Sequence, residues 1–192
     1  MDELTGVHQS GFATVLSLTK PYFDSSVFIA HIRGETISCP DGSTRVETTT
    51  HLFEDAKGRK LTIFTSTVTI AEVRRMRHKK EPITDKEIAH INTFFAEFLE
   101  HEWMYPIEVT REIAEKAQRL GAQYGIDAMD SIHLASAIWN KCTVLFVWDK
   151  STFMSRLPTE VEGVQIMQPH WEGIVKMPVK QRATTEKKLG MF

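Results

Sequence analysis

The sequence predicts an α/β fold of three layers, α/β/α, around a central and mainly parallel sheet. Two observations carry this. Tyr22-Phe23 and Val144-Leu145-Phe146-Val147 are short apolar runs without polar alternation, and an acid follows each of them closely. Such runs suit strands covered on both faces, which is the condition of a parallel sheet. Between them lie segments of helical period, the clearest being Ile88, Ile91, Phe94, Phe95, Phe98 and Leu99. Strands alternating with amphipathic helices build a sheet with helices on its faces.

Taken in order, residues 1–20 form an N-terminal extension whose apolar patch (Phe12, Ala13, Val15, Leu16, Leu18) suits a short helix on the domain edge. Tyr22-Phe23 is the first strand, and Ser25 to Arg33 the first helix, with Gly34 as its stop signal. Glu35 to Thr50 reads as a loop or small hairpin turning at Asp41-Gly42, before a helix over roughly His51 to Lys57. Leu61 to Thr65 has the β-branched and aromatic character of a strand. A helix from Thr67 runs through Val68, Ile70, Ala71 and Val73 into a basic end, which Pro82 interrupts. Thr84 and Glu87 form a Thr-x-x-Glu capping box for the Phe-rich helix. Pro106 to Val109 is a strand candidate. Ile113, Ala117 and Leu120 continue in helical period to Gly121 or Gly125, and another helix starts near Asp130 and ends near Cys142. After the strand at 144–147 a short helix can begin near Lys150-Ser151. Val164 to Met167 is the last strand. The expected organisation is a folded domain over 21–170 and a basic, flexible tail over 171–192.

Composition narrows the function. Net charge is −2, from 23 basic and 25 acidic side chains. Any basic surface for nucleic acid must therefore be local. The two cysteines, Cys39 and Cys142, have no paired or metal-like spacing, which fits free thiols in a reducing cytoplasm. Met1-Asp2-Glu3 has the wrong charge for a secretory leader, and no apolar run is long enough to span a bilayer. The expectation is a cytoplasmic protein without membrane contact. No Gly-rich phosphate loop, Gly-x-Ser-x-Gly elbow or Cys–His pattern offers a competing chemistry.

The acids do. Asp24 and Asp149 close the two strongest strands, where ligands collect in an open parallel sheet. Each also suits a helix cap or turn. Glu72 lies mid-helix, with Val68 and Ala71 one turn before it, which puts it on the border of the apolar stripe. Asp130 opens a helix, unless Asp127 is the cap and leaves Asp130 on the first turn beside the positive helix end. Two bare carboxylates about 4 Å apart repel by roughly 4 kcal/mol at an effective dielectric near 20. Four acids in one place must protonate in part or hold a cation. All-oxygen ligands favour Mg²⁺ or Mn²⁺, and such a site serves phosphodiester hydrolysis.

Four blocks carry a family resemblance: Tyr22 to Ala30, Thr65 to Val73, Gly125 to Ala135, and Trp148-Asp149-Lys150. In this order they resemble the PIN-domain nucleases, in particular the VapC-like toxins of toxin–antitoxin pairs. The resemblance implies that Asp24, Glu72, Asp130 and Asp149 form the catalytic and metal-binding quartet for one or two Mg²⁺ or Mn²⁺ ions. It implies that Ser26 supports the metal or its water. It further implies an RNA substrate, a small antitoxin partner and a homodimer. Val147 departs from the Thr or Ser that many members carry, and Thr152 replaces a frequent acid, while Phe153 keeps the usual aromatic.

Arg74 to Lys80 holds five Lys/Arg in seven residues. Arg74, Arg75 and Arg77 are candidates for an RNA-contacting rim. Cations complementing a helix end are the simpler account of the cluster. His133, one turn after Asp130, reads as a packed or hydrogen-bonded core histidine. The main expectation is a metal-dependent endoribonuclease. The alternatives are a catalytically weak or inactive PIN-like RNA-binding scaffold and a non-nucleolytic phosphohydrolase.

Overall fold

The structure, a computed structural model, describes residues 20–74, 84–151 and 153–171, the side chains of Arg74 and Glu87 excepted. The expected N-terminal helix, the basic run from Arg75 to Lys80, the side chain of Glu87, Thr152 and the basic tail lie outside the described residues, as do Arg75 and Arg77 with it.

A six-stranded sheet forms the middle layer in the order β3-β2-β1-β4-β6-β5. Its strands are β1 (Pro21–Phe23), β2 (Ile63–Ser66), β3 (Met104–Ile107), β4 (Val144–Phe146), β5 (Glu160–Val161) and β6 (Val164–Met167). All neighbours pair in parallel except β5 with β6. The helices are α1 (Ser25–Ile32), α2 (Arg45–Lys57), α3 (Val68–Arg74), α4 (Asp85–Leu99), α5 (Arg111–Tyr124) and α6 (Ala128–Trp139).

The period-two alternation of the strands decides which side chain meets which helix layer. Phe23, Ile63 and Phe146 point into one core with Phe28, Phe53 and Phe95 of α1, α2 and α4. Tyr22, Leu145 and Ile166 point into the other with Ile113 and Leu120 of α5 and Leu134 of α6. Each fully buried aromatic or aliphatic side chain contributes about 1.5–3 kcal/mol. Two cores on opposite faces make the expected three layers.

Several boundaries move for physical reasons. The helix expected to begin near His51 begins at Arg45, because Thr44 caps it with Glu47 in a reciprocal capping box. The Thr44 N–H donates to Glu47 Oε2 at 2.8 Å, and Glu47 N–H donates back to Thr44 Oγ1 at 3.3 Å. The threonines that suggested a loop turn their hydroxyls onto their own helix: Thr49 donates to Arg45 O at 2.9 Å and Thr50 to Val46 O at 2.7 Å. The Asp41-Gly42 turn forms with one bridge, Ser38 to Thr44, in place of a full hairpin. Thr44→Ala is expected to cost about 1 kcal/mol, read as a fall of roughly 2–4 °C in thermal melting.

Strand β3 begins before the predicted Pro106. An edge position tolerates that proline, since its missing N–H faces no neighbour. Among the described residues after Asp149, the helix expected near Lys150-Ser151 is replaced by a turn of 3₁₀ helix, Met154–Arg156. β5, turned back onto β6 at Gly163 (φ 84°), was not anticipated. α5 ends at Gly125, left-handed at φ 67° as a C-cap glycine should be. Gly121 has another role: a Cβ there would lie 2.8 Å from Ser131 Oγ, so α5 and α6 touch through it. In α4, Ile91, Phe95 and Phe98 are buried and Ile88 is 43% exposed. Among the described residues no helix is long and apolar enough to cross a membrane.

Candidate active site

β1 has β2 on one side and β4 on the other, so the chain leaves its carboxyl end at the sheet's switch point. That is where crevices open in doubly wound folds. Asp24 stands there, 5% exposed. Its N–H donates to Phe146 O at 3.0 Å, extending the pairing of β1 with β4. Its Oδ1 accepts from the Ser26 N–H at 2.8 Å and so caps α1. Cap and site readings are compatible, because a carboxylate has a second oxygen. Asp24 Oδ2 faces His133 Nε2 at 3.5 Å.

Ser26 reaches the other strand end. Its Oγ accepts from the Trp148 N–H at 3.0 Å, which ties the loop after β4 to the first turn of α1. The next residue, Asp149, accepts from Ser151 N–H at 2.8 Å and Ser151 Oγ at 3.0 Å in a tight turn. The same loop is held from α2 by Arg45. Its guanidinium lies 5.0 Å from the Trp148 ring centre, donates to Trp148 O at 3.4 Å, and pairs with Glu35 at 3.0 Å.

Asp127 resolves the ambiguity at α6. Its Oδ1 accepts from Met129 N–H at 2.9 Å and Asp130 N–H at 3.0 Å, so Asp127 is the cap. Asp130 then stands half-buried on the first turn. Burial, followed by the charges of Asp127, Asp24 and Asp149, pushes its carboxyl up to about 7, against a smaller opposing pull from His133. Asp24, Asp130 and Asp149, delivered by three separate elements, therefore share one electrostatic neighbourhood.

Glu72 arrives from α3 by another route. Its Oε2 lies 2.6 Å from His133 Nε2. The His133 ring is fully buried, and its Nδ1 meets the Tyr22 hydroxyl at 2.8 Å. Burial alone would lower the His133 pKa. Asp24, the hydrogen bond and charge of Glu72, and Asp130 together outweigh it and raise it. Burial also raises the Tyr22 phenol well above its ordinary value, with Asp24 adding to the effect.

His133 is thus the hydrogen-bonded core histidine the sequence suggested, with a partner the sequence did not indicate. Arg45 was missed altogether, since its contact with Trp148 spans 103 positions and leaves no local signal. Val147 packs in the second core. The side chain of Arg74, with Arg75 and Arg77, lies outside the described residues. Among the described residues, no three His, Cys, Asp or Glu side chains stand close enough together to hold a metal ion as they are. The donor chemistry nonetheless suits a hard cation, because burial and the charges of Asp127, Asp24 and Asp149 hold Asp130 above its ordinary pKa, a condition that a bound cation would relieve.

Solved structures share this architecture. A toxin–antitoxin complex from Klebsiella pneumoniae aligns over 76% of this chain and 95% of that chain, at 17% identity and a TM-score of 0.51. The Mycobacterium tuberculosis VapC20 toxin, described as cleaving the sarcin-ricin loop, aligns over 74% of this chain and 98% of that one. Its identity is 14% and its TM-score 0.53. At such identities the likeness is one of fold. No curated protein matches the sequence. The family model described as PIN domain matches residues 22–156.

Proposed function

Given that the chain belongs to the PIN-domain family, we propose that it is a metal-dependent endoribonuclease, a toxin-like RNase hydrolysing RNA phosphodiester bonds. The observation that supports this reading is Asp24 at the switch point with Asp130 half-buried on α6, its carboxyl raised to about 7 by burial and by the charges of Asp127, Asp24 and Asp149. Asp24, Glu72, Asp130 and Asp149 would hold one or two Mg²⁺ or Mn²⁺ ions. Bound there, the ion supplies charge neutralisation at the phosphate and acidifies an attacking water. The chain's own residues arrange the acids. Ser26 draws the Asp149 loop to Asp24, Asp127 caps α6 in place of Asp130, and Arg45 anchors Trp148.

The substrate is RNA, with Arg74, Arg75 and Arg77 proposed as its rim. The working unit is residues 21–170, in the cytoplasm, as a homodimer paired with a small antitoxin protein. The toxin–antitoxin complex that shares this fold supports the partner. A second reading, a PIN-like RNA-binding scaffold without turnover, draws support from one contact: the Glu72 carboxylate is engaged by His133 at 2.6 Å.

The test is incubation with a mixed pool of structured RNAs in Mg²⁺ or Mn²⁺, repeated with chelator, alongside thermal melts with and without Mn²⁺. Metal-dependent cleavage with Mn²⁺ stabilisation is the expected result. Absence of both cleavage and stabilisation would favour the scaffold.

A further inference from the structure

The contact that favours the scaffold also has a use within the nuclease. His133 lies one turn after Asp130 on α6, Tyr22 immediately precedes Phe23 and Asp24 on β1, and Glu72 comes from α3. α3 and α6 pack on opposite faces of the sheet, through Val73 in one core and Leu134 in the other. The bond from His133 to Glu72 therefore joins both helix layers across the carboxyl edge, beside Asp24.

The distances constrain the protons. At 2.6 Å, Nε2 and a carboxylate oxygen must share a hydrogen, since two lone pairs would repel. A neutral imidazole has one donor and one acceptor nitrogen. With its hydrogen on Nε2, Nδ1 must accept, and the Tyr22 hydroxyl at 2.8 Å is placed to donate. Asp24 Oδ2, at 3.5 Å from the same Nε2, is the longer and weaker partner. The tyrosine is wholly buried, as is the ring it meets. The pair consequently cannot exchange this arrangement for water.

We propose that Tyr22 and His133 are positioning residues: the Tyr22 hydroxyl donates to Nδ1 and so supports His133 in the Nε2–H form, and that N–H aims the Glu72 carboxylate at the other acids. Its consequence for metal affinity rests on the metal-nuclease reading, whereas the arrangement of protons does not. Hydrogen bonds of this kind behind a metal-binding carboxylate typically change affinity 10- to 100-fold when removed.

Two measurements on the full chain separate the possibilities. Nitrogen NMR of the imidazoles on metal-free protein should show His133 protonated on Nε2 and bare on Nδ1. Tyr22→Phe, which keeps the ring and removes only the hydroxyl, should leave the hydrogen on Nε2, where Glu72 holds it, and shift the Nδ1 resonance, whose hydroxyl donor is gone. A His133 carrying a proton on Nδ1, either with Glu72 as the donor to Nε2 or as a doubly protonated ring, overturns the proposal whether or not metal binds.

The second measurement is Mn²⁺ affinity. Tyr22→Phe and His133→Leu should each weaken it about 10-fold, and His133→Gln, which retains a donor, should recover part of the loss. In a Glu72→Gln background neither change should weaken it further. Equal losses with and without Glu72 would show a merely structural effect and sink the positioning role. Absence of Mn²⁺ binding by the unsubstituted protein would sink the metal reading instead, leaving the nitrogen spectrum to decide the proton arrangement.

Discussion

Asp24→Asn is expected to lower the RNA cleavage rate by about 10³-fold, equivalent to roughly 4 kcal/mol of transition-state stabilisation. Asparagine is the informative replacement. Its side-chain oxygen still accepts from the Ser26 N–H, so the α1 cap formed at 2.8 Å by Asp24 is retained. The pairing of the residue 24 N–H with Phe146 O involves only backbone and is untouched. What disappears is one negative charge beside Asp130 and His133. Single-turnover cleavage in Mn²⁺, with melting curves on the same samples, separates chemistry from folding. Cleavage at the unsubstituted rate would remove Asp24 from the site and with it the four-acid assignment.

Asp130→Asn should lose cleavage to a similar extent while stabilising the metal-free protein. The folded carboxyl titrates near 7, against about 3.9 for an unfolded aspartate. A raised carboxyl pKa means that the native state prefers the protonated acid. Stability from this group is full below about pH 3.9 and is lost as pH climbs through 7. The shift would correspond to roughly 4 kcal/mol if the group were dry. Asp130 is half-buried, and solvent screening reduces this to about 2 kcal/mol.

Asparagine carries no such penalty. Its advantage should be near zero at pH 4 and should grow to a plateau above pH 7, appearing there as a melting temperature roughly 4–8 °C higher. Mn²⁺ should narrow the gap by stabilising the unsubstituted protein more. A gap that does not change with pH would mean that Asp130 does not feel the neighbouring acids.

Both variants bear on a site that was partly legible before any coordinates. Asp24 and Asp149 could be found because each follows an apolar run closely. The relation between β1, β4 and their acids is thus written within a few residues of chain. Asp127 could be weighed as the α6 cap because a cap bonds the N–H groups two and three positions ahead. The capping box of Thr44 and Glu47 was equally local and was overlooked, since three consecutive threonines after it argued for a loop. The hydroxyls of Thr49 and Thr50 instead bond carbonyls one turn back, and that of Thr48 meets Ser43 Oγ at 2.8 Å, a choice that packing of Leu52 and Phe53 into the core makes worthwhile.

Sequence by itself determined the layered α/β architecture, five of the six strands, the helix stop at Gly34, a stop for α5 at Gly121 or Gly125, and which acids closely follow the strand ends. These follow from hydrophobic period and from hydrogen bonds reaching only a few residues. Tertiary structure alone decided that His133 bonds Glu72 across 61 positions and that Arg45 grips the Trp148 loop across 103. It also decided that Asp130 holds its proton up to about pH 7. Those outcomes depend on desolvation and on charges summed over neighbours from separate elements, and neither quantity exists until the two cores have closed over the sheet.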